Sequence, residues 1–89
     1  MAQAKVTIVN RLGLHARAAA KFVNLAKTFS SEVSLAKGGD TVDGKSIMSV
    51  MLLAAPIGSK MELHVTGSDE TEALAALEAL IKDRFGEPD

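Results

Sequence analysis

The sequence predicts an α+β fold: a four-stranded antiparallel sheet with three helices on one face, in the order βαββαβα, also called an open-faced β-sandwich. Four segments alternate apolar and polar residues, as strands do when one face of an antiparallel sheet is buried and the other is wet. Three further segments repeat apolar residues at helical spacing. A chain of 89 residues is too short to divide into two cores, so we expect one domain over residues 1–89.

The first strand and the first helix are separated by a loop that interrupts both patterns. Val6 and Ile8 alternate with polar neighbours, which predicts a strand over residues 4–9. Asn10-Arg11-Leu12-Gly13 then breaks the alternation. From Ala16 onward, apolar residues recur at i, i+3, i+4 and i+7, and they are Ala19, Phe22, Val23 and Ala26. The opposite face of this helix carries Arg17, Lys21, Asn24 and Lys27, and its three basic residues make it a cationic stripe.

A hairpin follows the first helix. Val33 and Leu35 alternate with polar neighbours, and residues 41–43 resume an extended run. Between them, Lys37-Gly38-Gly39-Asp40 supplies glycines for the positive-φ positions of a tight turn.

The fourth strand and the last helix complete the order of elements. Residues 61–66 alternate apolar and polar side chains, as a strand with one buried face does. Ser68-Asp69-Glu70 offers a helix cap and an acidic first turn, and the helix is expected to stop near Gly86 and Pro88. Its apolar face contains Leu74, Leu77, Leu80 and Ile81.

A short helix is predicted between the hairpin and the fourth strand, with Ser46 as its cap. This helix has almost no polar face, because it contains Ile47, Met48, Val50, Met51, Leu52 and Leu53. An exposed apolar patch is often a contact surface, but the same residues would also serve as additional core. The pattern leaves both interpretations open.

Composition excludes several classes of function. Ten basic and eleven acidic residues give a net charge of −1, and three Phe with no Trp or Tyr offer little base stacking, so we expect no nucleic-acid binding. No stretch approaches the ~20 apolar residues that span a bilayer, and the N-terminus does not read as an export signal. The chain has no Cys, which fits a reducing compartment. We therefore expect a cytoplasmic protein without membrane insertion.

His15 lies where the first loop gives way to the cationic helix. The free N–H groups and the positive end of the dipole at a helix start favour an anion. A neutral imidazole nitrogen is a nucleophile, and a phosphoryl group on it would lie within reach of the guanidinium of Arg17, two residues on. The residues alone also allow a capping or surface role for His15 and a solvated role for Arg17.

Two motifs are spaced along the chain. Residues 10–20 read Asn-Arg-Leu-Gly-Leu-His-Ala-Arg-Ala-Ala-Ala, and residues 44–51 read Gly-Lys-Ser-Ile-Met-Ser-Val-Met. The first run closely resembles the active-site signature of the HPr family, the phosphocarriers of the bacterial phosphoenolpyruvate-dependent phosphotransferase system. The second run resembles the second signature of that family, and the spacing between them also matches. The resemblance extends from about Val6 to Ile81 and covers the order of elements.

The resemblance implies a stoichiometric phosphocarrier and not an enzyme. His15 would be phosphorylated on Nδ1 by enzyme I and would donate to EIIA-type acceptors in sugar uptake or its regulation, while Arg17 supports the phosphoryl group. No metal or organic cofactor is implied, and we expect a monomer. Residues expected to dock the acidic partners, partly on the resemblance, are Ala20, Lys27, Ile47, Met48 and Met51.

Ser46 is implied as a second phosphorylation site, because in part of the family a dedicated HPr kinase/phosphorylase modifies the matching Ser. Capping a helix is the simpler role of a Ser at that place, and the two roles are compatible. Ala18 stands where many relatives have Pro, and with the lead-in of the first motif it resembles the nitrogen-related branch of the family. The second motif resembles the kinase-regulated carbon branch, so the branch stays open.

Two other functions are weighed against the phosphocarrier. Residues 39–46 match the nucleotide-binding pattern G-x-x-x-x-G-K-[ST], but the intervening residues read as a strand, and Asp40 and Asp43 would put negative charge into a phosphate cradle. A noncatalytic interaction module would use the sheet and the Met-rich helix and would not need His15. His64 lies on the polar face of its strand and is assigned no role.

Overall fold

The computed structural model describes all 89 residues. In chain order its elements are β1 (Ala2–Thr7), α1 (Ala16–Ala26), β2 (Glu32–Lys37), β3 (Asp40–Asp43), α2 (Ile47–Leu52), β4 (Lys60–Thr66), α3 (Glu70–Lys82) and a single 3₁₀ turn, the C-terminal turn (Arg84–Gly86).

The four strands form one antiparallel sheet in the order β1-β4-β2-β3. Val6 lies opposite Met61, and Leu35 lies opposite Leu63, so the apolar residues of neighbouring strands share one face. Those residues are buried beneath the helices, whereas the alternate positions of the strands are exposed or half-buried. The predicted α+β fold, with its order of elements and its antiparallel sheet, is confirmed.

The first strand differs from its predicted bounds. It begins at Ala2 and not at residue 4, because residues 2 and 3 pair with Val65 and His64 of β4 although they show no apolar alternation. It ends at Thr7, but Ile8 is still hydrogen-bonded to the segment that leads into β4. The N–H of Ile8 donates to the carbonyl of Ser59 at 2.9 Å, outside the regular ladder.

The predicted hairpin turn is present with a different backbone from the expected one. Gly38 has a φ of +61°, but Gly39 is not in the left-handed region. One positive-φ position, and not two, therefore reverses the chain between β2 and β3.

Asp69 occupies the predicted cap position of α3 but does not cap it with its side chain. The carboxylate instead accepts hydrogen bonds from the N–H of Ser30 at 2.9 Å, from the N–H of Ser31 at 3.0 Å and from the Ser31 hydroxyl. The loop before β2 competes successfully for this carboxylate, so Asp69 ties that loop to the start of α3.

The apolar residues of the short helix α2 and of its C-terminal end fall into two groups, one in the core and one at the surface. Val50 and Leu53 are buried in the core. Met48 and Leu52 are 78% and 79% exposed, and Ile47 and Met51 are also exposed. We call these four exposed residues, Ile47, Met48, Met51 and Leu52, the apolar patch.

None of the helices has the length and the apolar character that crossing a bilayer requires.

Candidate functional site

His15 is held at the start of α1 by the loop before it. Gly13 adopts a φ of +72°, and an added Cβ there would lie 2.6 Å from the carbonyl oxygen of Ala55, so glycine permits both the conformation and the close approach. The N–H of Leu14 donates to the same carbonyl at 2.8 Å, and the Leu14 side chain is buried. His15 then takes an extended backbone and becomes the N-cap of α1.

The imidazole of His15 is engaged on both nitrogens and remains open to solvent. Nδ1 accepts a hydrogen bond from the backbone N–H of Arg17 at 3.3 Å, and Nε2 is in hydrogen-bond contact with a carboxylate oxygen of Glu87. The side chain is 27% exposed. The ring is therefore at the protein surface and not sealed in the hydrophobic interior.

Glu87 is a negatively charged partner of the ring. Asn10 donates from Nδ2 to its other carboxylate oxygen at 2.9 Å. This hydrogen bond holds the pKa of the Glu87 carboxyl below its ordinary value, burial opposes the shift, and the contact with His15 and the charge of Lys21 add to it. Glu87 is consequently a carboxylate that only accepts hydrogen bonds.

Positive potential surrounds the Nδ1 side of the ring. The first turn of α1 has backbone N–H groups without an acceptor inside the helix, and no acidic residue lies in that turn. The exposed side chain of Arg17 makes no ion pair or hydrogen bond, so its guanidinium is available to an incoming anion. His15 and Arg17 both lie at the start of α1, as the sequence predicts.

A shallow apolar depression adjoins the ring. Its volume is about 230 Å³. It is lined by Leu12, Leu14, His15, Ala54, Ala55 and Pro56. Because residues 54–56 follow α2, this depression joins the His15 loop to the end of the helix that carries the apolar patch.

The other sequence candidates lie outside this cluster. Ser46 is the N-cap of α2, and its hydroxyl accepts a hydrogen bond from the N–H of Ser49 at 3.3 Å, so the predicted capping role is confirmed. His64 lies in β4 next to Glu62, with 3.2 Å between its Nε2 and the carboxylate.

The nucleotide-binding pattern at residues 39–46 does not form a phosphate loop. Residues 40–43 are the strand β3. Gly44 is buried against Val33 and Phe22, where an added Cβ would lie 2.6 Å from a Val33 methyl carbon. The glycine packs against the core and leaves no cradle for a phosphate.

Comparison with known proteins supplies the family. Residues 2–83 match the family described as PTS HPr component phosphorylation site. The chain belongs to the HPr family. It is similar to the phosphocarrier protein HPr of Cupriavidus necator, with 56% identity over 87 residues that cover 98% of each chain. Like that relative, this HPr-family chain is a phosphocarrier of the phosphotransferase system.

Solved structures agree with this assignment. HPr-C-His from Thermoanaerobacter tengcongensis superposes with a TM-score of 0.96 at 43% identity and covers 100% of each chain. An HPr dimer from the same organism matches with a TM-score of 0.78 at 44% identity, over 98% of this chain and 100% of that one.

The sequence motifs of this HPr-family site did not reveal its C-terminal part. Glu87 is 72 residues from His15 and follows the last helix, so no periodic pattern connects the two. Asn10 lies within the first motif, but only the fold shows that its side chain is fully buried and bonds both Glu87 and the carbonyl of Gly13. Lys21 belongs to the cationic stripe, and its Nζ also donates to the carbonyl of Phe85.

Proposed function

We propose that His15 is the residue that carries the phosphoryl group, accepting it from enzyme I and passing it to EIIA-type acceptors. The observation that supports this most directly is the geometry of the ring. His15 is partly exposed at the N-terminus of α1, and its Nδ1 is directed toward the backbone N–H of Arg17. A nucleophilic nitrogen and an anion-binding helix start are therefore adjacent.

The site suits a group that has to be held and then released. The hydrogen bond between Nδ1 and the N–H of Arg17 is long, 3.3 Å, and is easily exchanged for a bond to a phosphoryl oxygen. The Arg17 guanidinium then supports the same oxygens with charge-assisted hydrogen bonds. A phosphoramidate formed in this way is more reactive than a phosphate ester, as a relay requires.

We further propose that partners dock over α1 and α2, on either side of the His15 loop. Met48 and the rest of the apolar patch supply exposed apolar contact area, and Lys27 supplies positive charge for acidic partners. Ala20 is half-buried and leaves room for a close approach. The docking residues in this proposal are Ala20, Lys27, Ile47, Met48 and Met51.

Ser46 is proposed as a regulatory phosphorylation site for an HPr kinase/phosphorylase. Its side chain is partly exposed at the start of α2, directly before the apolar patch. A phosphate there would place about two negative charges beside the proposed docking surface. Docking of an acidic partner would be weakened.

The remaining features of the proposal concern the chain as a whole. It acts as a single HPr-like domain over residues 1–89, as a cytoplasmic monomer, and as a stoichiometric carrier that is not itself an enzyme. The proposed chemistry uses side chains and backbone N–H groups of the carrier, so the carrier needs no metal or organic cofactor.

Phosphorylation by enzyme I tests the proposed acceptor. The protein is incubated with enzyme I and phosphoenolpyruvate, and acid-labile phosphate is measured for the wild type and for His15→Ala, His64→Ala and Ser46→Ala. We expect loss of the label only in His15→Ala. Label that survives the removal of His15 would reject the site.

The docking surface is tested with charge placed on the apolar patch. Met48→Glu is expected to slow transfer from enzyme I without changing the free energy of unfolding, because the side chain is 78% exposed. Thr71→Glu is a matched control, since Thr71 is exposed on α3. Equal transfer rates for the Met48 variant and the wild type would contradict the docking proposal.

A further inference from the structure

The C-terminal turn has a backbone conformation that L-amino acids rarely adopt. Arg84 and Phe85 have φ values of +57° and +55°, and Gly86 has +77°, so three consecutive residues are left-handed. Such a conformation persists only where surrounding contacts hold it. Here the Phe85 side chain is fully buried, and Lys21 donates from Nζ to the Phe85 carbonyl at 2.7 Å.

This turn delivers Glu87 to the active-site loop. Only 8% of the Glu87 side chain is exposed. Asn10 fixes one carboxylate oxygen at 2.9 Å and donates at 2.7 Å to the carbonyl of Gly13, so it binds the tail and the His15 loop together. The second carboxylate oxygen contacts Nε2 of His15. The position of the carboxylate is thus fixed by the C-terminal turn on one side and by Asn10 and His15, near the N-terminus, on the other.

The two contacts of the ring require the same proton arrangement. A carboxylate only accepts hydrogen bonds, so Nε2 must carry the hydrogen that it donates to Glu87. The N–H of Arg17 only donates, so Nδ1 must present its lone pair toward the start of α1. Both contacts orient the imidazole with Nδ1 as the nucleophile.

From this geometry we infer that Glu87 is a positioning residue for phosphoryl transfer, which holds the His15 ring in its reactive orientation and stabilises the charge that the ring gains. The inference rests on the proposed function of His15. It also gives the left-handed turn a role, because the turn brings the carboxylate to Nε2 of the ring.

Phosphoryl transfer to His15 exchanges one P–N bond for another. The Nδ1 lone pair forms a bond to the phosphorus of the donor phosphohistidine, and the donor P–N bond breaks with its electron pair returning to the donor nitrogen. The proton stays on Nε2, so the ring becomes positively charged as the new bond forms, and the Glu87 carboxylate opposes that charge. When an acceptor takes the phosphoryl group, the N–P electron pair returns to Nδ1.

Glu87 does not compete with the phosphoryl group for space. The carboxylate lies on the Nε2 side of the ring, whereas the phosphoryl group enters on the Nδ1 side, near Arg17 and the N-terminus of α1. The two negative groups are therefore separated by the imidazole, and each has its own positive or donating partners.

Glu87→Gln is the first test variant. The site has two donors, Asn10 and His15, whereas glutamine has only one acceptor oxygen, so one contact must be lost. Asp89→Asn is the matched control, because it removes a tail carboxylate that is paired with Arg11 at 3.3 Å and does not touch the ring. Glu87→Ala is included because it removes both contacts, and the amide spectrum of each variant reports whether the domain is folded.

Two quantities are measured. The first is the rate of phosphorylation by enzyme I loaded from phosphoenolpyruvate, as a function of carrier concentration. The second is the ¹H–¹⁵N spectrum of the His15 ring, in which a hydrogen-bonded Nε2–H gives a slowly exchanging, downfield proton. For Glu87→Ala we expect a rate at saturation lower by roughly tenfold or more, an unchanged KM for the carrier, and loss of the Nε2–H signal. Glu87→Gln loses the negative charge whichever way its amide is turned, so its rate at saturation is also expected to fall with an unchanged KM.

The outcomes separate this inference from the proposed function. Wild-type rates in both folded Glu87 variants would overturn the role of Glu87, as would a change in KM alone or an equal loss in Asp89→Asn. Absence of label on wild-type His15 would instead overturn the proposed function itself. Retention of the signal and the rate in Asp89→Asn, with loss of both in Glu87→Ala and a lower rate in Glu87→Gln, would support the inference.

Discussion

Lys21 and Phe85 join the two ends of the chain. The ammonium group of Lys21, on α1, donates to the carbonyl oxygen of Phe85 at 2.7 Å, while the Phe85 ring is fully buried in the core. A member of the cationic stripe therefore hydrogen-bonds the backbone of the same chain. Because Glu87 follows two residues after Phe85, this contact also helps to place the carboxylate that meets Nε2 of His15.

Phe85→Ala should destabilise the domain strongly. Removing a buried Phe side chain costs about 3–5 kcal/mol in the free energy of unfolding, which chemical denaturation measures. Phe85→Leu keeps most of the volume and should cost less than about 1.5 kcal/mol. If the two variants unfold at the same denaturant concentration, the ring is not the anchor that we describe.

Gly13→Ala should destabilise the His15 loop. The added Cβ would meet the left-handed backbone at φ +72° and would lie 2.6 Å from the carbonyl oxygen of Ala55. Strain of about 1–2 kcal/mol is expected from the backbone alone, with the clash in addition. Phosphorylation should slow as well, because the loop that holds the ring must move.

Gly38→Ala provides the comparison for Gly13→Ala. Its φ is +61°, but nothing lies within 4 Å of an added Cβ, so it carries the backbone strain without the clash. Thermal unfolding of both variants should show the larger loss for Gly13→Ala. Equal losses would mean that the contact with Ala55 is unimportant.

Asp69 should make the stability depend on pH in acid. Hydrogen bonds from the Ser31 hydroxyl and from the N–H groups of Ser30 and Ser31 lower the pKa of the Asp69 carboxyl from 3.8 to about 2. Because the folded-state pKa is depressed, the stabilisation is complete above about pH 4 and is lost as the pH falls toward 2.

Asp69→Asn tests this dependence through melting temperatures between pH 2 and pH 7. The variant should melt below the wild type at pH 7, and the gap should narrow as the pH approaches 2. Asp40→Asn, at the exposed start of β3, is the control and should follow the wild type throughout. A gap that is the same at both ends of the range would show that the charge of Asp69 is not the cause.

Two substitutions of Ser46 should separate its role as a helix cap from its effect on partner docking. Ser46→Ala removes the acceptor of the Ser49 N–H and should cost about 0.5–2 kcal/mol, visible as faster hydrogen exchange in α2. Ser46→Asp keeps a capping oxygen and should retain the stability, but it should slow phosphorylation by enzyme I because it places a negative charge beside the apolar patch. Thr71→Asp, also near a helix start, should leave the rate unchanged. An unchanged rate in Ser46→Asp would count against regulation at this site.

The tail and the loops show where prediction from sequence was incomplete. The run Ser68-Asp69-Glu70 predicts a cap for α3, but Asp69, at the cap position, gives its carboxylate to two serines of the loop before β2. The apolar residues of α2 were open to two interpretations, and burial assigns Val50 to the core and Met48 to the surface. In both cases the residue type allowed two partners, and only packing selected one.

Local periodicity determined the order of the elements, the one-sided sheet and the place of His15 and Arg17 at a helix start, because those features depend on residues close together along the chain. The tertiary structure alone decided that Glu87 meets His15. That contact joins residues 72 positions apart through a left-handed turn, and its position follows from the burial of Phe85 and not from any local pattern.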